Sequence, residues 1–172
     1  MNIQSLEKED LSFEDLKRMM GPKWDAETRF LNWDELANYK LMSELMTKPA
    51  VIILLHIEGP HAPSVGHFIL LLDFNDHLEH FDSYGLTMEE ELAITHEQHL
   101  TRIFKTYRKP VINNTKKLQT FRKDINTCGR WIVTRRMLSH LTLDKFLKFI
   151  SNFHLNPDDL VTAMTTLLQF KT

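Results

Sequence analysis

His67 to Gly85 reads HFILLLDFNDHLEHFDSYG. Two apolar runs flank Asn75-Asp76, whose side chains bond their own backbone and favour a tight turn. His67 to Asp73 therefore reads as a buried strand. His77 to Tyr84 reads as its antiparallel partner, ended by Gly85. The hairpin sets His67, which follows Gly66 at the mouth of one strand, roughly opposite Asp82 near the end of the other. Cross-strand neighbours are close enough for a carboxylate to reach an imidazole. Just upstream, Pro49 to Ile57 (PAVIILLHI) is a continuous apolar run that fits a strand covered on both faces. Glu58 to Val65, with Gly59, Pro60 and Pro63, reads as the loop between them.

Helical patterns surround this sheet. Ser12-Phe13-Glu14-Asp15 has the form of a capping box ahead of Leu16, Met19 and Met20, and Gly21-Pro22 stops that helix. Leu36, Tyr39, Leu41 and Leu45 predict a second helix from about Trp33 to Met46. Leu92, His96, Leu100, Ile103 and Tyr107 predict another over Thr87 to Tyr107, broken by Pro110. Val111 to Phe121 reads as one or two short strands around Asn113-Asn114. Asn126-Thr127 precedes a helix from Cys128 to Leu141, and either residue is a candidate cap. Thr142 to Phe153 is a further helix. The last opens at Asn156-Pro157-Asp158-Asp159, with a capping Asn, Pro in the first turn and acids beside it. The fold class expected is α+β: a small, mainly antiparallel sheet packed on the helix that begins at Cys128, in one domain over residues 1–172.

The composition fits a soluble core-forming chain, with 42% hydrophobic and 26% charged residues and only 5 Gly and 6 Pro. The longest apolar run, Ala50 to Leu55, ends at His56, far short of a membrane span. No membrane partner is expected. The opening MNIQSLEKED lacks the basic and apolar regions of a secretory signal, so secretion by that route is not expected either. The net charge of −2 hides an asymmetry. Thr101 to Arg136 holds eleven Lys/Arg against one acid, Asp124, giving +10 there and −12 elsewhere. Such a segment is a candidate for nucleic-acid contact.

Cys128 is the single cysteine, which excludes an intramolecular disulfide and argues against a cysteine zinc site. His77-x-x-His80 lies on a strand, where the two rings point to opposite faces, and His96-x-x-His99 is one residue short of the metalloprotease spacing. No metal or other cofactor is expected. A lone Cys is ordinarily a small buried hydrophobe. Here it opens a helix, where unpaired N–H groups and the helix dipole favour a thiolate, and Gly129 beside it leaves room for a carbonyl to approach. With His67 as base and Asp82 to orient that base, Cys128 completes the logic of a nucleophilic triad.

Three segments together, Gly66-His67-Phe68, Phe81-Asp82-Ser83-Tyr84-Gly85 and Asn126-Thr127-Cys128-Gly129-Arg130, resemble the adenain-type viral maturation proteases. The likeness is closest to those of virophages, Polinton-like elements and large DNA viruses. SUMO-specific proteases, which share the His, Asp, Gln, Cys order, are more distant. The resemblance covers roughly Ala50 to Leu141. It implies a papain-like or adenain-like fold and a cysteine endopeptidase, monomeric, that cuts viral capsid precursors after small residues such as Gly. The location it implies is the virion and the cytoplasm or virus factory of an infected cell. Phe68 replaces the family's usual Trp. The family's oxyanion Gln lies six or seven residues before the Cys, whereas Gln119 lies nine before Cys128. The resemblance assigns that role to Gln119, with Asn126 as the rival amide. The rival functions are a protease for ubiquitin-like modifiers with the same triad, and a catalytically inactive binding module on the same fold.

Overall fold

Ser12 and Asp15 form the capping box that their spacing predicts: Asp15 N–H donates to Ser12 Oγ (3.3 Å) and Ser12 N–H to Asp15 Oδ2 (2.9 Å). The computed structural model describes residues 2–59, 62–95, 97–122 and 124–169. From the N-terminus come α1 (Ile3–Leu6), α2 (Phe13–Met20) and α3 (Pro22–Ala26), then β1 (Thr28–Asn32), a 3₁₀ helix (Trp33–Asn38) and α4 (Met42–Leu45). The hairpin region follows as β2 (Ala50–Gly59), β3 (Ala62–Asp73) and β4 (Leu78–Phe81). Next are α5 (Met88–Thr95), α6 (Gln98–Phe104) and β5 (Val111–Asn113). The chain continues with α7 (Cys128–Met137), α8 (Leu143–Ser151) and α9 (Pro157–Gln169).

The α+β class holds, but the sheet is mixed rather than mainly antiparallel. Its order is β1-β2-β3-β4-β5; β2–β3 and β3–β4 pair antiparallel, while β1–β2 and β4–β5 pair parallel. The reason lies in the connections. β1 reaches β2 through the 3₁₀ helix and α4, and β4 reaches β5 through α5 and α6, and such crossovers bring strands back parallel. The β1 strand has no clear apolar alternation and is not foreseen in the sequence. Much of the region read as a loop from Glu58 to Val65 is strand, because β2 runs on to Gly59 and β3 starts at Ala62.

Two long helices expected from periodicity are each broken by a glutamate that starts a new turn. Glu44 accepts from Lys40 and Leu41 N–H (2.8 and 3.2 Å), so Trp33 to Met46 is a 3₁₀ helix and a short α-helix with extended backbone between. Glu97 accepts from His99 and Leu100 N–H and splits Thr87 to Tyr107 into α5 and α6. The Cys128 helix ends at Met137, short of Leu141, where the Arg135 guanidinium takes the Leu138 and Leu141 carbonyls (2.9 and 3.1 Å).

Side-chain parity divides the core in two. Ala50, Ile52, Phe68, Leu70, Leu72 and Phe81 face α7, α8 and α9. Val51, Ile53, Leu55, Ile69, Leu71 and Leu78 face the 3₁₀ helix, α4, α5 and α6. Sandwiched between the sheet and the N- and C-terminal helices, α7 is buried from Cys128 through Arg136. Its arginines are therefore internal and paired. Arg130 bonds Thr165 and Gln169, Arg136 bonds Thr28, and Arg135 holds Glu79 of β4 through two bonds of 2.6 and 2.7 Å. Among the described residues, no helix is long and apolar enough to cross a membrane.

Removing one partner of a buried pair strands the other charge, whereas replacing both need not destabilise. Glu79→Ala is therefore expected to cost about 3–5 kcal/mol in urea unfolding. Glu79→Leu combined with Arg135→Met should recover most of that loss. If the double variant is no more stable than Glu79→Ala, the pair does not act as a unit.

Candidate active site

Gly66 lets the mouth of β3 close against β2: a Cβ there would meet Leu54 Cδ1 at 2.8 Å. His67 follows it, 2% exposed. β4 pairs with β3 up to Leu70 opposite Phe81, and the chain then turns away at Asp82. That turn is fixed from several sides. Gly85 adopts φ +79, and any Cβ there would strike the Lys116–Lys117 backbone at 2.8–2.9 Å. Asn114 Nδ2 donates to the Asp82 carbonyl (2.6 Å), and Leu86 N–H donates to Asp82 Oδ2 (2.9 Å). Asp82 Oδ1 is left facing His67 Nε2 at 2.5 Å, a buried pair. The cross-strand prediction therefore holds, although the contact lies just beyond the last paired residues of the ladder.

With Nε2 turned to the carboxylate, Nδ1 is the ring nitrogen left for Cys128, whose side chain also engages His67. Burial alone would strip the imidazolium of its proton, but the bonds to Asp82 and Cys128 and their charges outweigh it. His67 is held well above the ordinary histidine range. Burial likewise opposes the Asp82 carboxylate, yet the His67 bond and charge win and keep Asp82 below its usual value. The Tyr84 ring stacks on His67 with centroids 4.7 Å apart, and exposed Phe121 meets the edge of Tyr84 at 5.1 Å.

Neither residue named as a cap closes the start of α7. Thr127 occupies the cap position, but its hydroxyl donates to Asp158 Oδ1 (2.5 Å), and Asn126 Nδ2 donates to the Lys8 carbonyl (3.0 Å). Both side chains are drawn off by other elements, so no side chain caps the leading N–H groups around Cys128. The space that Gly129 leaves is not open to a substrate carbonyl. A Cβ there would meet Leu16, Leu11 and Phe68 at 3.2–3.4 Å, so this glycine serves packing against α2.

Gln119 is brought into the same cluster. Its carbonyl accepts from Ser83 Oγ (2.7 Å), and its Nε2 donates to Ile125 O (3.1 Å) and Tyr84 Oη (3.2 Å). Asn126 is turned away toward Lys8. The nine-residue spacing is accommodated because the chain leaves Gln119, turns through Arg122, and returns at Ile125.

A residue that the sequence did not single out joins them. Glu91 of α5 is fully buried, and neither carboxyl oxygen has a hydrogen-bond partner among the described residues. Donor atoms of His67, Asp82 and Glu91 lie within 4.8 Å of one another. The clue in the sequence was helical phase: in Met88-Glu89-Glu90-Glu91-Leu92, Glu91 shares the inward side with Met88. The histidine pairs do not converge: His77 stacks on Phe74 and bonds Asp76, while His80 bonds Asn113. His96 lies outside the described residues.

No family model matches the chain. Over 178 residues it is 27% identical to uncharacterized protein V9 of Sputnik virophage, the match covering 95% of this chain and 98% of that protein. The likeness supports a viral protein of virophage type. It brings no activity with it.

His67, Asp82 and Cys128 form one buried cluster, so the thiol should respond to its neighbour. Iodoacetamide is expected to label native Cys128, the sole thiol, and His67→Ala should slow labelling by about tenfold or more. Protection of Cys128 until the protein is denatured would mark it as an inert core residue.

Proposed function

We propose that the chain is a cysteine endopeptidase of the adenain type, on a papain-like or adenain-like fold, that cleaves viral capsid or other structural precursors during virion maturation. The observation that carries this reading is the buried His67–Asp82 bond beside Cys128 at the uncapped start of α7. The virophage relative is consistent with the setting, the virion and the virus factory or cytoplasm of an infected cell.

In this reading His67 takes the Cys128 thiol proton, and the sulfur attacks the scissile carbonyl. The tetrahedral oxyanion rests on the Cys128 backbone N–H and an amide from Gln119. His67 returns the proton to the leaving amine, a thioester forms, and water hydrolyses it by the same steps in reverse roles. Asp82 keeps Nε2 occupied and the ring oriented. For Gln119 to serve, the N–H now given to Tyr84 must turn to substrate.

The direct test is incubation with the virus's own major capsid protein, followed by mass spectrometry of the fragments. Cleavage that disappears in Cys128→Ala is expected. Cleavage only of a Gly-Gly-terminated ubiquitin-like modifier would favour the modifier-protease reading. Binding to capsid protein without cleavage would favour an inactive module.

Gln119→Ala should lower kcat by about 10²–10³ while leaving Cys128 alkylation nearly intact, because alkylation forms no oxyanion. Asn126, tied to Lys8, should tolerate Ala without loss of kcat. Near wild-type kcat in Gln119→Ala would remove Gln119 from the mechanism.

Nucleic acid remains a proposed partner of the basic segment 101–136, on a smaller face than its charge suggests, because Arg130, Arg135 and Arg136 are buried. The exposed cations run from Arg102 through Lys109 to Lys116, Lys117 and Arg122. Duplex DNA should stimulate cleavage at low salt and lose that effect at high salt. No stimulation at low salt, where phosphate contacts are strongest, would remove nucleic acid as an activator.

A further inference from the structure

A carboxyl group buried without a hydrogen bond is costly, and such groups are rare unless something uses them. Glu91 is such a group, and it sits beside the one charged pair at the site rather than in an arbitrary part of the core. We propose that Glu91 is a positioning residue for the His67–Asp82 pair: a buried carboxyl that carries a proton beside Asp82 in one state and a negative charge beside His67 in the other. The proton exchanges with solvent. The proposal deepens the triad reading and rests on it.

The groups facing Glu91 decide how it behaves. β3 supplies His67. β4 supplies Asp82 and His80, and the turn after β4 supplies Tyr84. β2, which packs on α5, presents apolar Val51, Ile53 and Leu55 on that side. At the start of α6, Glu97 is held by His99 and Leu100 N–H. Burial pushes His80 down to about 4, so it is neutral near pH 7, and burial raises Tyr84 so that it keeps its proton. Asp82 and His67 are thus the charges that Glu91 meets within the cluster. Burial raises Glu91 to about 7, with His67 pulling it down and Asp82 pushing it up.

The consequence for the site has a definite sign. When Glu91 is neutral, its O–H can donate toward the Asp82 carboxylate. When it is ionised, a second negative charge lies near the imidazolium and holds its proton more firmly. At such separations, in a medium of effective dielectric constant about 20, one charge shifts a protonation equilibrium by tenfold or more. The stability sign follows from the raised carboxyl. The folded state keeps a proton that the unfolded chain has lost, so the fold loses stability as pH rises from the ordinary Glu range through about 7.

A metal centre is the competing use of the same three residues, since their donor atoms lie within 4.8 Å. The direct His67–Asp82 bond of 2.5 Å argues for a proton between them rather than a shared ion. The two uses give different results in the same experiment.

The test is an NMR titration of His67 ring nitrogens and the Glu91 carboxyl carbon in the full-length protein. In the wild type, Glu91 should titrate near neutrality. In Glu91→Gln, His67 should lose its proton at lower pH, by about tenfold in the equilibrium constant, and Glu91→Asp should restore part of that shift. Glu91→Leu, which keeps the bulk and removes the charge, should shift His67 in the same direction and melt higher at alkaline pH. A Glu91 carbon that titrates in the ordinary carboxyl range, or a His67 curve unchanged in both Gln and Leu variants, overturns the proposal even if melting temperatures change. Stoichiometric Zn²⁺ that raises the wild-type melting temperature but not that of Glu91→Gln overturns it in favour of a metal site. The readout does not require peptidase activity. A His67 shift without capsid cleavage leaves the coupling standing and removes the protease reading, while cleavage without a shift removes the coupling alone.

Discussion

Arg135 grips Glu79 with two short charge-assisted bonds at essentially zero exposure, and this fixes α7 against β4. Both elements carry part of the candidate site. Asp82 lies three residues beyond Glu79, and Cys128 lies seven residues before Arg135, about two helical turns. The clamp therefore sets how far the start of α7 stands from the end of β4. A buried pair also tolerates little misalignment, because a shifted guanidinium would leave a carboxylate without a partner. The remaining valences of Arg135 close the C-terminal end of α7 on the Leu138 and Leu141 carbonyls. One side chain thus determines where the helix stops and where it sits.

The parts of this fold that sequence reveals are those whose signal is local and periodic. The apolar runs of β2, β3 and β4, the Ser12 capping box and the Asn156-Pro157 start of α9 are all read within a few residues of themselves. The failures share a cause. Trp33 to Met46 and Thr87 to Tyr107 keep their helical spacing, but Glu44 and Glu97 offer the backbone a competing partner and restart the turn. β1 has no pattern of its own; TRFLN becomes a strand because β2 presents it with a free edge. The parallel pairings follow from crossovers that pattern alone does not route.

The site divides along the same line. His67 and Asp82 were legible because a hairpin converts sequence separation into proximity. The position of Cys128 at a helix start was legible from the apolar and polar pattern after it. Gln119 came from resemblance, and the structure does place it in the cluster, held by Ser83, Tyr84 and Ile125. Neither Thr127 nor Asn126 caps α7, because Asp158 and Lys8 compete for their side chains from far along the chain. The same long-range pairing hides the charge balance. Arg130, Arg135 and Arg136 count toward the +10 of residues 101–136, yet their partners Glu9, Glu79 and Glu27 lie outside it. A linear charge count treats as surface what folding has moved to the interior.

Both sides of the sheet bury polar groups, some paired and some without a partner among the described residues. On the α7 face, Arg135 and Glu79 satisfy each other, which stiffens the helix–sheet contact. On the α5 face, His80 Nε2 and both Glu91 oxygens have no partner among the described residues. Polar atoms left so are expected to lower stability, and an apolar core of similar volume would avoid the cost. Glu7, Arg130, Trp131 and Thr162, on the side of α7 and α9, also leave a polar atom unpartnered, but His80 and Asp82 are alternate residues on one face of the chain, and Glu91 lies beside the His67–Asp82 pair. Around a buried charged pair such as His67–Asp82, uncommitted polar groups can reorient in response to charge, whereas fully bonded ones are fixed. Cys128 packs in the core on the α7 side, while His67, in phase with Ile69 and Leu71, projects to the α5 side, so the two meet only where the mouth of β3 reaches the start of α7.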